Sequence, residues 1–420
     1  MTYFDINNTD RVHKKSNIRQ LVDILKSDIA GMYMDASNDV QTTNTRKKYS
    51  VFVTGGQDGT NAVTSGLYQT VFDQDHTFQT SNEMLDITVG VYHDSATVTG
   101  LLGDPARDSS GKLIFPDDTS LMMREKINIY KQYAQILLGN SESSFHAPFE
   151  DSDTDTRIDN ALFLNFKRLF VRDGLEKEQF SIKLHSHLPA PPGGATTTNI
   201  DALIPDDQQN ASNVDSFKLY SDANATQNLN FSTVSGYIGS IVSSADPTTK
   251  IGLIFYNKGI VVLDAEKIFD NDTIVGSISV TSAAAGAGDF NGPLFPTTAA
   301  PTGSFWQKAS IDDLIDHIAD TRFGRDNKSA IGFINQTSIN SSIYFCRVGP
   351  NDANFSTNPT YIDEDGNIRC IQEKGDDPFT YITTIGLYDA SGELLAVAKT
   401  SRPIEKNPEV DLSISVRLDY

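Results

Sequence analysis

At 420 residues the chain is longer than one hydrophobic core usually serves, so two or three domains are expected. Its 34 Lys and Arg against 55 Asp and Glu leave a net charge of −21, which a phosphate backbone repels, and general nucleic-acid binding is disfavoured. Hydrophobic residues, at 38%, are somewhat few, but 23 Phe and 15 Tyr supply large apolar side chains throughout and argue against disorder.

Met1 to Asp10 is polar and lacks the apolar core of a secretion signal. No stretch approaches the roughly 18 consecutive apolar residues that a membrane-spanning helix needs. Ser16 to Ala30 reads as an amphipathic helix, with Ile18, Leu21, Val22, Leu25 and Ile29 at helical spacing and Ser16 as N-cap. Alternation at Tyr49, Val51 and Val53, stopped by Gly55-Gly56, predicts a strand; Leu85, Ile87, Val89 and Val91 predict another. A second helix is expected over about Leu121–Leu138, capped by Ser120 and ended by Gly139-Asn140.

The apolar block Ala161–Val171, the turn Arg172-Asp-Gly174 and an alternating strand Gln179–Leu184 fit either a hairpin or a helix running into a strand. A Pro/Gly-rich break from Pro189 opens a polar stretch, in which Lys250–Leu263 reads as a hairpin turning at Asn257-Lys-Gly259, with a further strand at Ile274–Val280. Ser310-Ile-Asp-Asp313 is a capping box opening a short helix, with Ile311, Leu314, Ile315 and Ile318 facing inward. Strands are then expected at Ile331–Ile334, Ser342–Val348, Tyr381–Tyr388, Leu394–Lys399 and Ser413–Leu418, with Asp389-Ala-Ser-Gly392 as a hairpin turn and the last strand docked in a sheet. The pattern as a whole is α+β and multi-domain, β-rich with a few amphipathic helices and a C-terminal antiparallel sheet. It divides into an N-terminal α+β domain (1–188), an inserted β-rich module (189–303) and a C-terminal β-rich domain (304–420).

Little in the chain carries chemistry. Among seven histidines the only close pair is His185-Ser-His187; two residues apart on a strand, they share a face and form a weak metal candidate against a polar strand end. Asp151, Asp153 and Asp155 alternate as in calcium loops, but Thr156 stands where that loop needs Gly and Leu162 where it needs Glu, so a solvated turn is the plain reading. Gly55-Gly56-Gln-Asp-Gly59-Thr60 lacks the Lys-Ser/Thr ending of a phosphate loop and reads as a tight turn. Cys346 and Cys370 form no C-x-x-C motif and read as buried, reduced thiols. No Gly-x-Ser-x-Gly elbow is present and no carboxylate pair stands out, so neither enzymatic activity nor a cofactor is expected.

Two stretches, Arg157–Phe180 and Gly332–Arg347, the latter continuing through Asn354–Tyr361, Thr380–Asp389, Glu393–Lys399 and Val416–Tyr420, resemble large virion structural proteins of T-even-like contractile-tailed bacteriophages (myoviruses), including cyanophages. The resemblance covers residues 120–185 and 305–420, and no part of 189–301. It implies a structural subunit of the contractile tail, foremost its baseplate, located in the virion and assembled in the host cytoplasm. A receptor-binding or fibre-attachment protein, a neck or head protein, and a glycan-degrading tail enzyme are the alternatives. The partners it implies are other tail or baseplate proteins and further copies of the chain. Phe163, Phe166, Phe170, Tyr381, Leu387, Tyr388, Leu394 and Val397 are the residues expected at such contacts, the hairpin around Leu387 offering an open edge to a neighbour's strand.

Overall fold

The computed structural model describes residues 6–34, 40–54, 63–99, 109, 123–149, 151, 153–186, 217–269, 273–280, 288–298, 303–324, 328–356, 358–369 and 377–420. In chain order the strands are β1 (Arg11–Leu25), β2 (Met32–Met34), β3 (Val40–Thr42), β4 (Arg46–Thr54), β5 (Val63–Phe72), β6 (Glu83–Val91), β7 (Asn160–Phe166), β8 (Gly174–Leu175), β9 (Ser181–His185) and β10 (Phe217–Ser221). They continue as β11 (Asn230–Ser232), β12 (Gly236–Ser243), β13 (Lys250–Phe255), β14 (Ile260–Asp264), β15 (Thr273–Val280), β16 (Gly288–Pro293), β17 (Ser329–Val348), β18 (Thr380–Tyr388), β19 (Leu394–Lys406) and β20 (Leu412–Asp419). The helices are α1 (Lys26–Ala30), α2 (Ala96–Thr99), α3 (Met123–Leu138), α4 (Arg168–Val171), α5 (Ala265–Ile268), α6 (Phe305–Lys308) and α7 (Ile311–His317), the last running into a π-helical turn over Ile318–Phe323. The architecture is β-rich α+β, as the sequence pattern implies.

The chain divides into two units: a smaller one of Met1–Ile18 with Ser338–Tyr420, and a larger one of Arg19–Thr337. Strands β1 and β17 each contribute residues to both. The expected boundaries near 188 and 303 do not coincide with this division. Far from forming a separate module, β10, β12, β13 and β14 are inner strands of the larger unit's sheet, each paired through its backbone on both edges.

In the larger unit the sheet order is β17, β9, β10, β12, β13, β14, β7, β6, β5, β4. Every pairing along it is antiparallel. The central strands β6, β7 and β14 are buried on both faces, which explains why they read as continuous apolar runs. One face is covered by α3: Tyr133 stacks on Phe163 with ring centroids 4.2 Å apart. Only glycine fits at position 90 beneath that helix, since a Cβ there would lie 2.8 Å from the Phe163 ring and 3.0 Å from the Tyr130 backbone nitrogen. The opposite face is covered by α7. Gln69, cross-strand from Ile87, donates to Asp316 of that helix at 3.0 Å, and the Gly66 amide donates to Asp312 at 2.7 Å.

The capping box opening α7 is present: Ser310 accepts from the Asp313 amide, Asp313 accepts from the Ser310 amide, and Ile311, Leu314, Ile315 and Ile318 are buried. The Lys250–Leu263 hairpin forms with Phe255 opposite Ile260. The block 161–171 resolves as β7 followed by the single turn α4; β7 pairs with β6 and β14, so no local hairpin forms there.

Ser16–Ala30 is not a helix. Residues 11–25 are extended as β1, and only 26–30 coil, with Leu25 and not Ser16 at the cap. The helical stripe failed because pairing with β17 selects period two, under which Val22 and Ile24 turn inward and Leu21 outward; Ile18, in phase with the inward pair, is exposed as well. The strands expected at 331–334 and 342–348 are one strand, β17. The polar run between them is held by side-chain bonds: Asn335 donates to the Phe170 carbonyl at 2.6 Å, and Ser341 to Asp419 at 2.6 Å.

In the smaller unit β17 pairs with β20 in antiparallel register, Ser341 opposite Asp419 through Val348 opposite Leu412. On its other side lies β1, where His13 bonds Ser342 and Asn17 bonds Ser338, the falling partner numbers of an antiparallel neighbour. β18 and β19 form a separate two-stranded ribbon turning at Asp389–Gly392, where Gly392 takes φ +84°. The buried Lys406 at the far end of the ribbon donates to the carbonyls of Pro350 (3.0 Å) and Asn407 (2.7 Å) and to Asn354 Oδ1 (2.7 Å), tying the loop after β17 to β19.

Candidate assembly surface

The contiguous hydrophobic core lies wholly within the larger unit, running from Val22 to Phe333. Among the described residues of the smaller unit only Val348, Leu387 and Val416 are buried apolar side chains. A unit of about a hundred residues with so little interior is unusual, because burial of apolar area is what offsets chain entropy. Its apolar side chains instead face outward: Tyr381 is 55% exposed, Leu394 49%, Leu395 68% and Val397 52%.

Local geometry explains the grouping on the ribbon. Val397 stands opposite Gly386, and Leu394 opposite Tyr388. A Cβ at Gly386 would lie 2.8 Å from the Tyr388 ring and 3.2 Å from Leu394, so both side chains close over the glycine on one face. Leu387, opposite Ala396, turns to the other face and is buried. A two-stranded ribbon is at best marginally stable in water by itself.

The expected contact residues therefore fall into two groups. Tyr381, Leu394 and Val397 are exposed, Tyr388 is half-buried and Leu387 buried, all on the ribbon. Phe163 and Phe166 are corrected to core residues: Phe163 meets Tyr130 and Phe145 edge-on as well as Tyr133, and Phe166 packs 4.8 Å from Phe333. Phe170 is half-buried and packs against the same core. The pattern also predicts a local core of Leu387, Leu394, Leu395 and Val397 on this hairpin; only Leu387 is buried, while exposed Val12 (46%) and Ile18 (56%) are hidden by a helical reading of β1.

Of the weak metal candidates, His185 is buried at the end of β9, and His187 lies outside the described residues. Asp153 and Asp155 are exposed and Asp151 half-buried, with Asp151 Oδ1 accepting from the Asp153 amide at 3.1 Å, a local turn. Among the described residues no group of three His, Cys, Asp or Glu is arranged to hold a metal ion. Cys346 is half-buried and free, a correction to the buried thiol expected; Cys370, Gly55–Thr60 and Ser120 lie outside the described residues.

Several ionisable groups are buried in the larger unit and serve packing. Lys126 on α3 donates to the Trp306 carbonyl at 2.7 Å, and burial, against the pull of Asp313, lowers its ammonium to about 7. Asp264 caps α5 by accepting from the Glu266 and Lys267 amides, and burial raises its carboxyl to about 6 despite nearby Lys267. His317 is held well below the ordinary imidazole value by burial and by adjacent Arg322, which favours the neutral ring. No helix among the described residues is long and apolar enough to cross a membrane. No family model, no curated protein and no solved structure matches the chain.

Proposed function

We propose that this chain is a structural subunit of a contractile phage tail, placed in its baseplate, and that it works by protein–protein assembly through the smaller unit. One observation carries the reading: among the described residues the smaller unit holds long strands with almost no interior of their own, and displays Tyr381, Leu394, Leu395 and Val397 to solvent. Such a surface gains its missing burial when a neighbouring chain covers it. The resemblance of residues 305–420 to virion structural proteins falls largely on this same unit. It supplies the setting, and the exposed strands supply the mode of action.

The test is incorporation. The double substitution Leu394→Asp with Val397→Asp places charge on the exposed face and leaves the core of the larger unit untouched. Particles assembled with it should lack the chain, as read by mass spectrometry of purified virions, while the isolated variant keeps the wild-type urea transition of the larger unit. Wild-type levels of the variant in particles, or absence of the unaltered chain from tailed particles, would overturn the proposal.

A further inference from the structure

Among the described residues, the outer strand edges of the smaller unit are not alike. Over its first residues β1 carries Arg11, Lys14 and Lys15, all exposed. β20 carries Arg417 and Asp419. β19 contains Lys399, Arg402 and Pro403, and it takes up both irregularities of the ribbon. Between one break and the next, β18 advances from Ile382 to Thr384 while β19 runs from Ile404 to Lys399; beyond it, Leu395 is again an extra residue on β19. Charges, proline and bulges are the devices by which proteins blunt an edge against strand addition.

β18 has none of them. From Thr380 to Tyr388 it carries no charged side chain and no proline, the extra residues at both register shifts fall on β19, and β19 is its only strand neighbour among the described residues. Its composition (five β-branched residues before Gly386, with Tyr at positions 381 and 388) favours extended backbone. Such an edge is a template for another strand.

Charge decides what can occupy it. At a net −21, two copies of this chain repel, so contact between them needs a surface free of charge. β1 laid antiparallel on itself would set Arg11, Lys14 and Lys15 against their own kind. β18 laid antiparallel on itself, with the two-fold axis near Thr384, opposes only Thr, Ile, Tyr, Leu and Gly. That contact is closed and self-complementary, and it turns two marginal two-stranded ribbons into one four-stranded sheet. We propose that β18 pairs edge to edge and antiparallel with β18 of a second copy of this chain; the proposal rests on reading the smaller unit as an assembly surface.

Sedimentation equilibrium of the full chain tests it with two variants at exposed Thr383, Thr383→Lys and Thr383→Glu. The wild-type chain should be dimeric, and each variant alone should dimerise about tenfold more weakly because like charges meet near the axis. An equimolar mixture of the two should recover wild-type affinity, a result that only a self-complementary contact gives. An unchanged far-UV signal and urea transition of the larger unit establish that both variants fold. A wild-type chain that is monomeric throughout, a dimer indifferent to both substitutions, or a mixture no tighter than either variant would overturn the pairing. A monomeric chain that still enters tailed particles overturns β18 pairing and leaves the assembly reading standing, with a strand from a different protein as the occupant. A dimer absent from particles does the reverse.

Discussion

The two units of this molecule use similar strands in opposite ways. In the larger unit β6, β7 and β14 are buried on both faces, with α3 against β6 and β7 on one side and α7 against β5 and β6 on the other. In the smaller unit the C-terminal part of β17 with β18, β19 and β20 forms strands of comparable length, yet only three apolar side chains among the described residues are buried. Strand formation and core formation are thus separable: backbone pairing and β-branched residues build the ribbon, and covering layers build the interior. The difference teaches where to look for function. A unit that supplies its own layers is built as scaffold, and one whose apolar side chains stay exposed is where the assembly proposed above would act.

The comparison is broken most severely at Phe163. Phe163→Ala opens a cavity beneath α3, among Tyr130, Tyr133 and Phe145, and should destabilise the larger unit by about 4 kcal/mol, read as a drop in its urea midpoint. Amide exchange in β18 and β19 should be unchanged if the two units are energetically independent; parallel loss of protection in the ribbon would show that they are not.

A smaller effect, of the order of 2 kcal/mol, is expected from Asp264→Asn and depends on pH. The buried Asp264 carboxyl titrates near 6 in the native chain against 3.8 when free, so between these values the native state holds a proton that the unfolded state has released. Stability from this group is therefore lost as pH rises from 3.8 to 6. The Asn variant keeps the α5 cap, lacks the loss, and should show a flatter urea midpoint over that window; an identical pH profile would refute the assignment. The smaller unit responds with the opposite sign. Asp389, through its hydrogen bond with Ser391, and Asp363, through the Asn367 amide, are held below the ordinary carboxylate value, so what they add is lost as pH falls.

Lys406→Met sharpens the contrast at about 2 kcal/mol, confined to the smaller unit. It leaves the Pro350 and Asn407 carbonyls and Asn354 Oδ1 without their shared donor. Faster proteolysis within the loop after β17 is the expected result, with the larger unit's urea transition unmoved. A shift of that transition would place the lysine's role elsewhere.

Much of this was legible in the residues. The apolar runs of β6 and β7, the Ser310 capping box, the turn at Asn257–Gly259 and the hairpin at Asp389–Gly392 all formed where local chemistry put them. What failed has physical causes. Ile18, Val22, Leu25 and Ile29 fit a helix, and Val22 with Ile24 also fits a strand; only the presence of β17 beside them decides. Asn335–Ser341 looks like a loop by polarity, yet its side chains bond to neighbouring segments and extend β17. Phe163 and Val397 are equally apolar on paper, but one lies under a helix and the other is exposed among the described residues. Burial depends on layers that come from elsewhere in the chain, so the sequence names candidates for contact and the fold sorts them.

The neutral edge of β18 bears also on how the chain reaches its destination. A regular, uncharged strand rich in β-branched and aromatic residues is the kind of segment from which aggregation starts when nascent chains crowd together. With no gatekeeper residue inside it, protection falls to timing: the sooner the right strand arrives, the fewer wrong ones can. If β18 pairs as proposed, rapid capture of that edge would be a safeguard during synthesis as much as a step in construction.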